Sequence, residues 1–197
     1  MLDFPSLWLT WVMVMKNLQT AVRFCLCSFL LLTAAPLFAA GNKDDAKLIN
    51  QVKWTAQLES SGQPTSNQLA GLVKDNFGMV INLAPPPSEG SIQDEGGIVA
   101  GNGLVYINIP VDWDKPTLED FQFFAETLAA ASERRVLVHC QINMRASTFT
   151  FLYRVVHDGV DPHEAWEKVT QVWVPHDQWM DFVTLVLEDA GIDVELM

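Results

Sequence analysis

Cysteine is scarce in this chain, and acidic residues outnumber basic ones two to one: three cysteines, and 12 lysines and arginines against 24 aspartates and glutamates. The formal charge of −12 repels polyanions at long range, which excludes a nucleic-acid partner and disfavours anionic membrane faces. Cys25 and Cys27 lie inside an apolar run near the N-terminus. Cys140 is therefore the single thiol of the remainder and has no mate for an internal disulfide. His157, His163 and His176 are scattered without the spacing of a zinc site, so neither a metal nor another cofactor is expected. No repeat and no sign of a second domain is visible, and the length suits one domain with a real core.

The apolar run carries its own signal. Lys16 and Arg23 precede an uncharged stretch over residues 24–40 that ends in small residues, the pattern of a secretory leader. Processing after Gly41, with Ala39 two residues before it, fits the small-x-small rule, so residues 1–41 read as a signal peptide and 42–197 as one domain. An uncleaved anchor is the alternative, because residues 7–15 are also apolar. Met15, followed by Lys16 and Asn17, makes a more ordinary start than Met1. Loss of the leader takes Asp3, Lys16 and Arg23 with it and moves the charge to −13. The expected location is outside the cytoplasm, in a bacterial periplasm, with no membrane contact once the leader is cut.

Past residue 50 the pattern alternates between strand and helix. Residues 53–58 predict a short strand and 60–64 a turn. Thr65 with Gln68 has capping-box spacing, and Leu69, Leu72 and Val73 give a helical face up to Phe77 and Gly78, where glycine can stop it. Residues 79–83 read as a buried strand, followed by a proline- and glycine-rich loop through Gly103 that is long for a compact domain. Residues 104–109 make another strand. Thr117 caps a helix with Leu118, Phe121, Phe124 and Leu128 at helical spacing. Residues 136–138 are too continuously apolar for a half-exposed strand and read as central and parallel. Asp161, Pro162 and Glu164 stand at N-cap, N1 and N3 of a further helix, and residues 175–187 form the last, closed by Gly191. Trp166, Trp173 and Trp179 fall on apolar faces and are assigned to the core. The whole predicts an α/β layer fold: a mostly parallel central sheet flanked by helices, with a helical C-terminal half.

Cys140 follows the central strand directly, at the carboxyl edge where open α/β sheets bind ligands. The backbone from Gln141 to Ser147, through Ile142, Asn143, Met144, Arg145 and Ala146, is placed to curl its amides around an anion with a helix N-terminus behind them. That field favours thiolate in a partly open site, and Arg145 can grip an oxyanion through two parallel hydrogen bonds.

These residues resemble the cysteine-dependent phosphatases of the tyrosine and dual-specificity type, and more closely a bacterial group of tyrosine-phosphatase-family, hydrolase-associated phosphatase-like domains. The resemblance is carried by Val138-His139-Cys140 and Ser147. It continues through Ser61-Gly62-Gln63-Pro64-Thr65, Val80-Ile81-Asn82-Leu83 and Ile109-Pro110-Val111-Asp112, and so covers most of the chain beyond the leader. Asn143 stands where the family has glycine, and asparagine also tolerates a left-handed backbone. The family signature puts five residues between cysteine and arginine, whereas Gln141, Ile142, Asn143 and Met144 make four. With a loop of ordinary length the family arginine falls on Ala146, and Arg145 is rotated by about 100° on the first helical turn. With a tighter loop Arg145 grips the ligand. A four-residue interval is also that of rhodanese-type sulfurtransferases, although His139 before the thiol looks like the phosphatase group.

The resemblance implies a phosphatase for a phosphorylated protein or small molecule. Cys140 is then the nucleophile, Arg145 and the loop amides hold the phosphoryl oxygens, and Asp112, with Asp114 in reserve, is the general acid. His139 sits behind the loop, Ser147 donates to the departing sulfur, and Trp113 stacks on an aryl substrate. A persulfide-carrying sulfurtransferase and a non-catalytic oxyanion-binding module are the competing readings.

Overall fold

The structure, a computed structural model, describes residues 47–196. The expected leader, with Cys25 and Cys27, lies outside the described residues. Five strands form one sheet: β1 (Val52–Lys53), β2 (Leu58–Ser61), β3 (Phe77–Asn82), β4 (Val105–Asn108) and β5 (Arg135–His139), in the spatial order β1-β2-β5-β3-β4. Only the β1–β2 pair is antiparallel; β2, β5, β3 and β4 run parallel, with β5 central as predicted.

Side chains alternate across the pleat, and so split the sheet into two apolar faces. Met79 and Ile81 of β3, with Val136 and Val138 of β5, join the larger core; Val80 and Leu137 between them join the smaller one. Helices α1 (Ser66–Gly71) and α2 (Glu95–Gly101) cover the smaller face. The larger is covered by α3 (Leu118–Ala129), α4 (Met144–Val156), α5 (Pro162–Thr170) and α6 (Gln178–Asp189), the helical C-terminal half. Phe124, Phe149, Phe151 and Trp179 are each under 2 % exposed there, and burying a side chain of this size contributes roughly 1.5–3 kcal/mol. Trp166 and Trp173 join them, as assigned from sequence.

Local signals act where they were read. Thr65 and Gln68 complete a capping box, Thr117 forms another with Asp120, and Asp161 accepts from the amides of His163 and Glu164 with Pro162 at N1. Three readings need correction. The predicted strand over 53–58 is a hairpin bend, and the strand proper is Leu58–Ser61, because Glu59, Ser60 and Ser61 are buried against β5 where the polar composition suggested a turn. Helix α1 passes into a 3₁₀ turn at Leu72–Asp75 and is stopped by Asn76 in the left-handed region (φ 61°), so that Phe77 and Gly78 already belong to β3. The long glycine-rich loop contains α2, whose Glu95 turns out to be buried.

At the amino end of β5, Arg135 pairs with the buried Glu59 of β2, donates to the Asp75 carbonyl at 2.6 Å and lies over the Phe77 ring at 4.2 Å. Glu59 is 1 % exposed, and its other cation, Lys53, is 3.8 Å away and mostly in solvent. Arg135→Met leaves that carboxylate with the Gln51 Nε2 donor at 2.5 Å but no buried cation, so the expected loss is about 3 kcal/mol of unfolding free energy. A lower urea midpoint checks it, and Glu59→Gln in the same chain restores part of the loss.

Candidate active site

Four strands end at one level. Ser61 pairs with His139, His139 with Asn82, and Asn82 with Asn108. Beyond that line the chain stays tied: Cys140 N donates to Ser61 O (3.2 Å), Leu83 N to His139 O (2.8 Å) and Val111 N to Leu83 O (3.1 Å). Cys140 and the segment carrying Asp112 therefore emerge at the same edge of the sheet. Cys140 is 1 % exposed. The sequence reading placed it in a partly open site; it is buried instead, because it leaves the strand directly into the packing beneath α4.

The three residues after Cys140 form a tight turn that ends on Asn143, left-handed at φ 76° and ψ 0°, as its residue type allowed. Helix α4 starts at the next residue. A trans peptide points its C=O and the following N–H in opposite directions, so the carbonyl partners fix the amides. Gln141 O accepts from Gln63 N at 3.0 Å, Ile142 O from Asn50 Nδ2 at 3.0 Å and Asn143 O from Ser147 N at 2.8 Å. Met144 O accepts from the hydroxyls of Ser147 (3.1 Å) and Thr148 (3.0 Å). Every carbonyl from Gln141 to Met144 is thus engaged. The antiparallel bridge of Gly62 with Ile142 turns the Asn143 amide towards Ser61 O, while outside the helices and strands no described hydrogen bond is donated by the backbone amides of Gln141, Ile142, Met144, Arg145 or Ala146. Free donors of this kind at a helix start bind an anion. Gly62 lets the turn lie this close: a Cβ there would sit 2.9 Å from Gln141 O and from Ile49 Cβ.

Arg145, in the first turn of α4, is 8 % exposed, its Nε has no hydrogen-bond partner, and no carboxylate among the described residues pairs with it. Its guanidinium lies 5.2 Å from the centroid of the Trp113 ring. Trp113 is held in turn by Trp179 (5.0 Å) and Trp173 (5.5 Å), and Trp179 Nε1 donates to its carbonyl at 3.0 Å. Trp113 is therefore committed to a protein wall carrying the arginine. Asp112 is exposed between the buried Val111 and the packed Trp113, and accepts from Asp114 N at 2.8 Å. Asp114 is exposed as well.

His139 is fully buried, with Nε2 2.7 Å from Glu95 Oε1, while Gln63 Nε2 donates to Glu95 Oε2 at 2.9 Å. Its Nδ1 has no partner. Burial raises the Tyr106 hydroxyl above the ordinary tyrosine value; the Asn82 hydrogen bond opposes that rise, and the Glu95 carboxylate adds to it. Met144 packs into the core, Ala146 and Ser147 are buried, and the Ser147 hydroxyl serves the Met144 carbonyl. Ile142 is the exposed apolar member of the turn. Asn50 and Glu95 were not singled out from the sequence, Gln63 only as part of the Ser61–Thr65 run, and no spacing marks their roles. Only the parallel topology brings them to residues 44 to 92 positions away.

The family model for a DSP-PTPase phosphatase fused to NAD+ kinase matches residues 35–178. The chain belongs to this phosphatase family. Among solved structures, a DUF442 protein of Shewanella putrefaciens CN-32 is 34% identical, with a TM-score of 0.67 over 72% of this chain and 91% of that one. P. aeruginosa TpbA, solved in complex with pTyr as a cysteine-to-serine form, is 20% identical with a TM-score of 0.56, covering 73% of this chain and 91% of that one. At that identity it speaks for the fold alone. The "Beta-lactamase hydrolase-like protein" of Xylella fastidiosa, in strains Temecula1 and 9a5c, is 31% identical over 106 residues, 52% of this chain. The chain spans about a quarter of the length of these curated relatives, 24%. The DSP-PTPase phosphatase family is one of cysteine-dependent phosphatases with a mixed α/β fold, so the expected class and family agree with the comparison.

Proposed function

We propose that the protein is an exported phosphatase that hydrolyses a phosphomonoester through a thiophosphate intermediate on Cys140. The observation that carries this reading is a buried arginine without a carboxylate beside a run of unspent amides, both directly after a cysteine at a strand end. A buried cation without a counter-ion is costly, and a phosphoryl group bound in the turn supplies the missing charge.

In this mechanism Cys140 Sγ attacks phosphorus as the thiolate, and the S–P bond forms as the P–O bond to the leaving group breaks. The loop amides and Arg145 hold the non-bridging oxygens as charge builds on them. Asp112 gives its proton to the leaving oxygen. As the carboxylate it then takes a proton from the water that displaces sulfur, which releases inorganic phosphate and restores the thiolate. His139, held by Glu95, fixes the strand end behind the nucleophile. An aryl ester is the first substrate to try, since TpbA is solved with pTyr.

Phosphate release from an aryl phosphate tests the reading. Asp112→Asn is expected to lower kcat about 10²-fold for a poor leaving group. Thiocyanate formation from thiosulfate and cyanide without phosphate release would overturn the proposal in favour of sulfur transfer.

A further inference from the structure

Asn50 meets the turn from outside. Its Nδ2 donates to the Ile142 carbonyl at 3.0 Å, and its own carbonyl accepts from Asn143 Nδ2. Both asparagines are left-handed, Asn50 at φ 47° and Asn143 at φ 76°. The strap they belong to is fixed by Gly62 N donating to Ile49 O at 2.7 Å.

The other carbonyls of the turn are held by the backbone amide of Gln63 or by α4 itself. The Ile142 carbonyl alone is held by the side chain of a distant residue. Rotation of the peptide between Ile142 and Asn143 would bring that carbonyl towards the anion and break the bridge of Gly62 with Ile142 that ties the turn to the end of β2. From this we infer that Asn50 is a positioning residue of the anion cradle: by holding the Ile142 carbonyl outward it keeps that carbonyl dipole from turning towards the phosphoryl oxygens. The inference rests on the oxyanion-binding part of the proposed function and does not require turnover.

Asn50→Gly is the direct test, because glycine keeps the left-handed backbone and the carbonyl that Asn143 uses, and removes only the donor. Asn50→Asp, of the same shape, removes the donor in a second way. Vanadate binding by calorimetry is expected to weaken about three- to tenfold in both, the worth of one hydrogen bond. The value of kcat/KM for the aryl phosphate should fall by a similar factor. Thermal midpoints should stay within about 3 °C of wild type. A purely structural strap predicts the reverse: a lowered midpoint with unchanged vanadate affinity in the folded protein, and that result would overturn the inference. Wild type that turns over substrate, with both variants equal to it in binding and rate, defeats the inference and leaves the phosphatase reading intact. Wild type that binds vanadate without turnover, with weaker binding in the variants, defeats the catalytic reading and upholds Asn50. Wild type that does neither removes both.

Discussion

Cys140→Ser is expected to reduce phosphate release by about 10⁴-fold or more, the largest effect of any single substitution in the chain. A serine hydroxyl at the same place stays protonated at working pH and is a far weaker nucleophile than a thiolate. The covalent step is then lost rather than slowed by the removal of one contact. Oxyanion binding should survive, since the amides from Gln141 to Ala146 and the Arg145 guanidinium remain where they are. Stopped assays on an aryl phosphate, with tungstate titration of the same preparation, separate the two readouts. Full activity in the serine variant would remove Cys140 as the nucleophile and with it the proposed mechanism.

The second large effect has two signs. Arg145→Met is expected to cost about 10³-fold in kcat/KM, because no other described cation is placed in the first turn of α4 to meet charge developing on the phosphoryl oxygens. The same substitution is expected to leave unfolding free energy unchanged or to raise it by about 1 kcal/mol. A buried guanidinium with an unsatisfied Nε and no paired carboxylate destabilises the empty protein, and methionine of comparable length removes that penalty while keeping the contact with Trp113. Activity and chemical denaturation measured side by side check both. A variant that loses stability together with activity would show Arg145 to be a packing residue. Arg145→Lys retains charge but not the fork of parallel donors, so it should recover only a small part of the rate.

The parts of the fold that were legible are those written in neighbouring residues. The Thr117 cap, the Asp161-Pro162 start and the uninterrupted apolar run of the central strand each declare themselves within a few positions, and each is found where it was read. Asn143 belongs with them, because a left-handed turn is a property of one residue. What could not be read depends on contacts made across the sheet. Glu59, Ser60 and Ser61 look like a turn until β5 is laid beside them. Glu95 sits in a glycine-rich stretch whose composition suggests solvent, yet it is buried because Gln63 Nε2 donates to one of its oxygens and His139 Nε2 lies 2.7 Å from the other. Cys140 and the turn after it were visible as a local motif. The residues that hold the turn in shape were not.

Ser61, Asn82, Asn108 and His139 finishing at one level has a consequence for the order of events in folding. Reactivity here is assembled from strands far apart in the chain, and such contacts form late because long loops must close first. In a half-folded chain Cys140 therefore stands apart from the edge that Ser61 and Asn82 help to form, and the proposed chemistry waits on the docking of the last parallel strand.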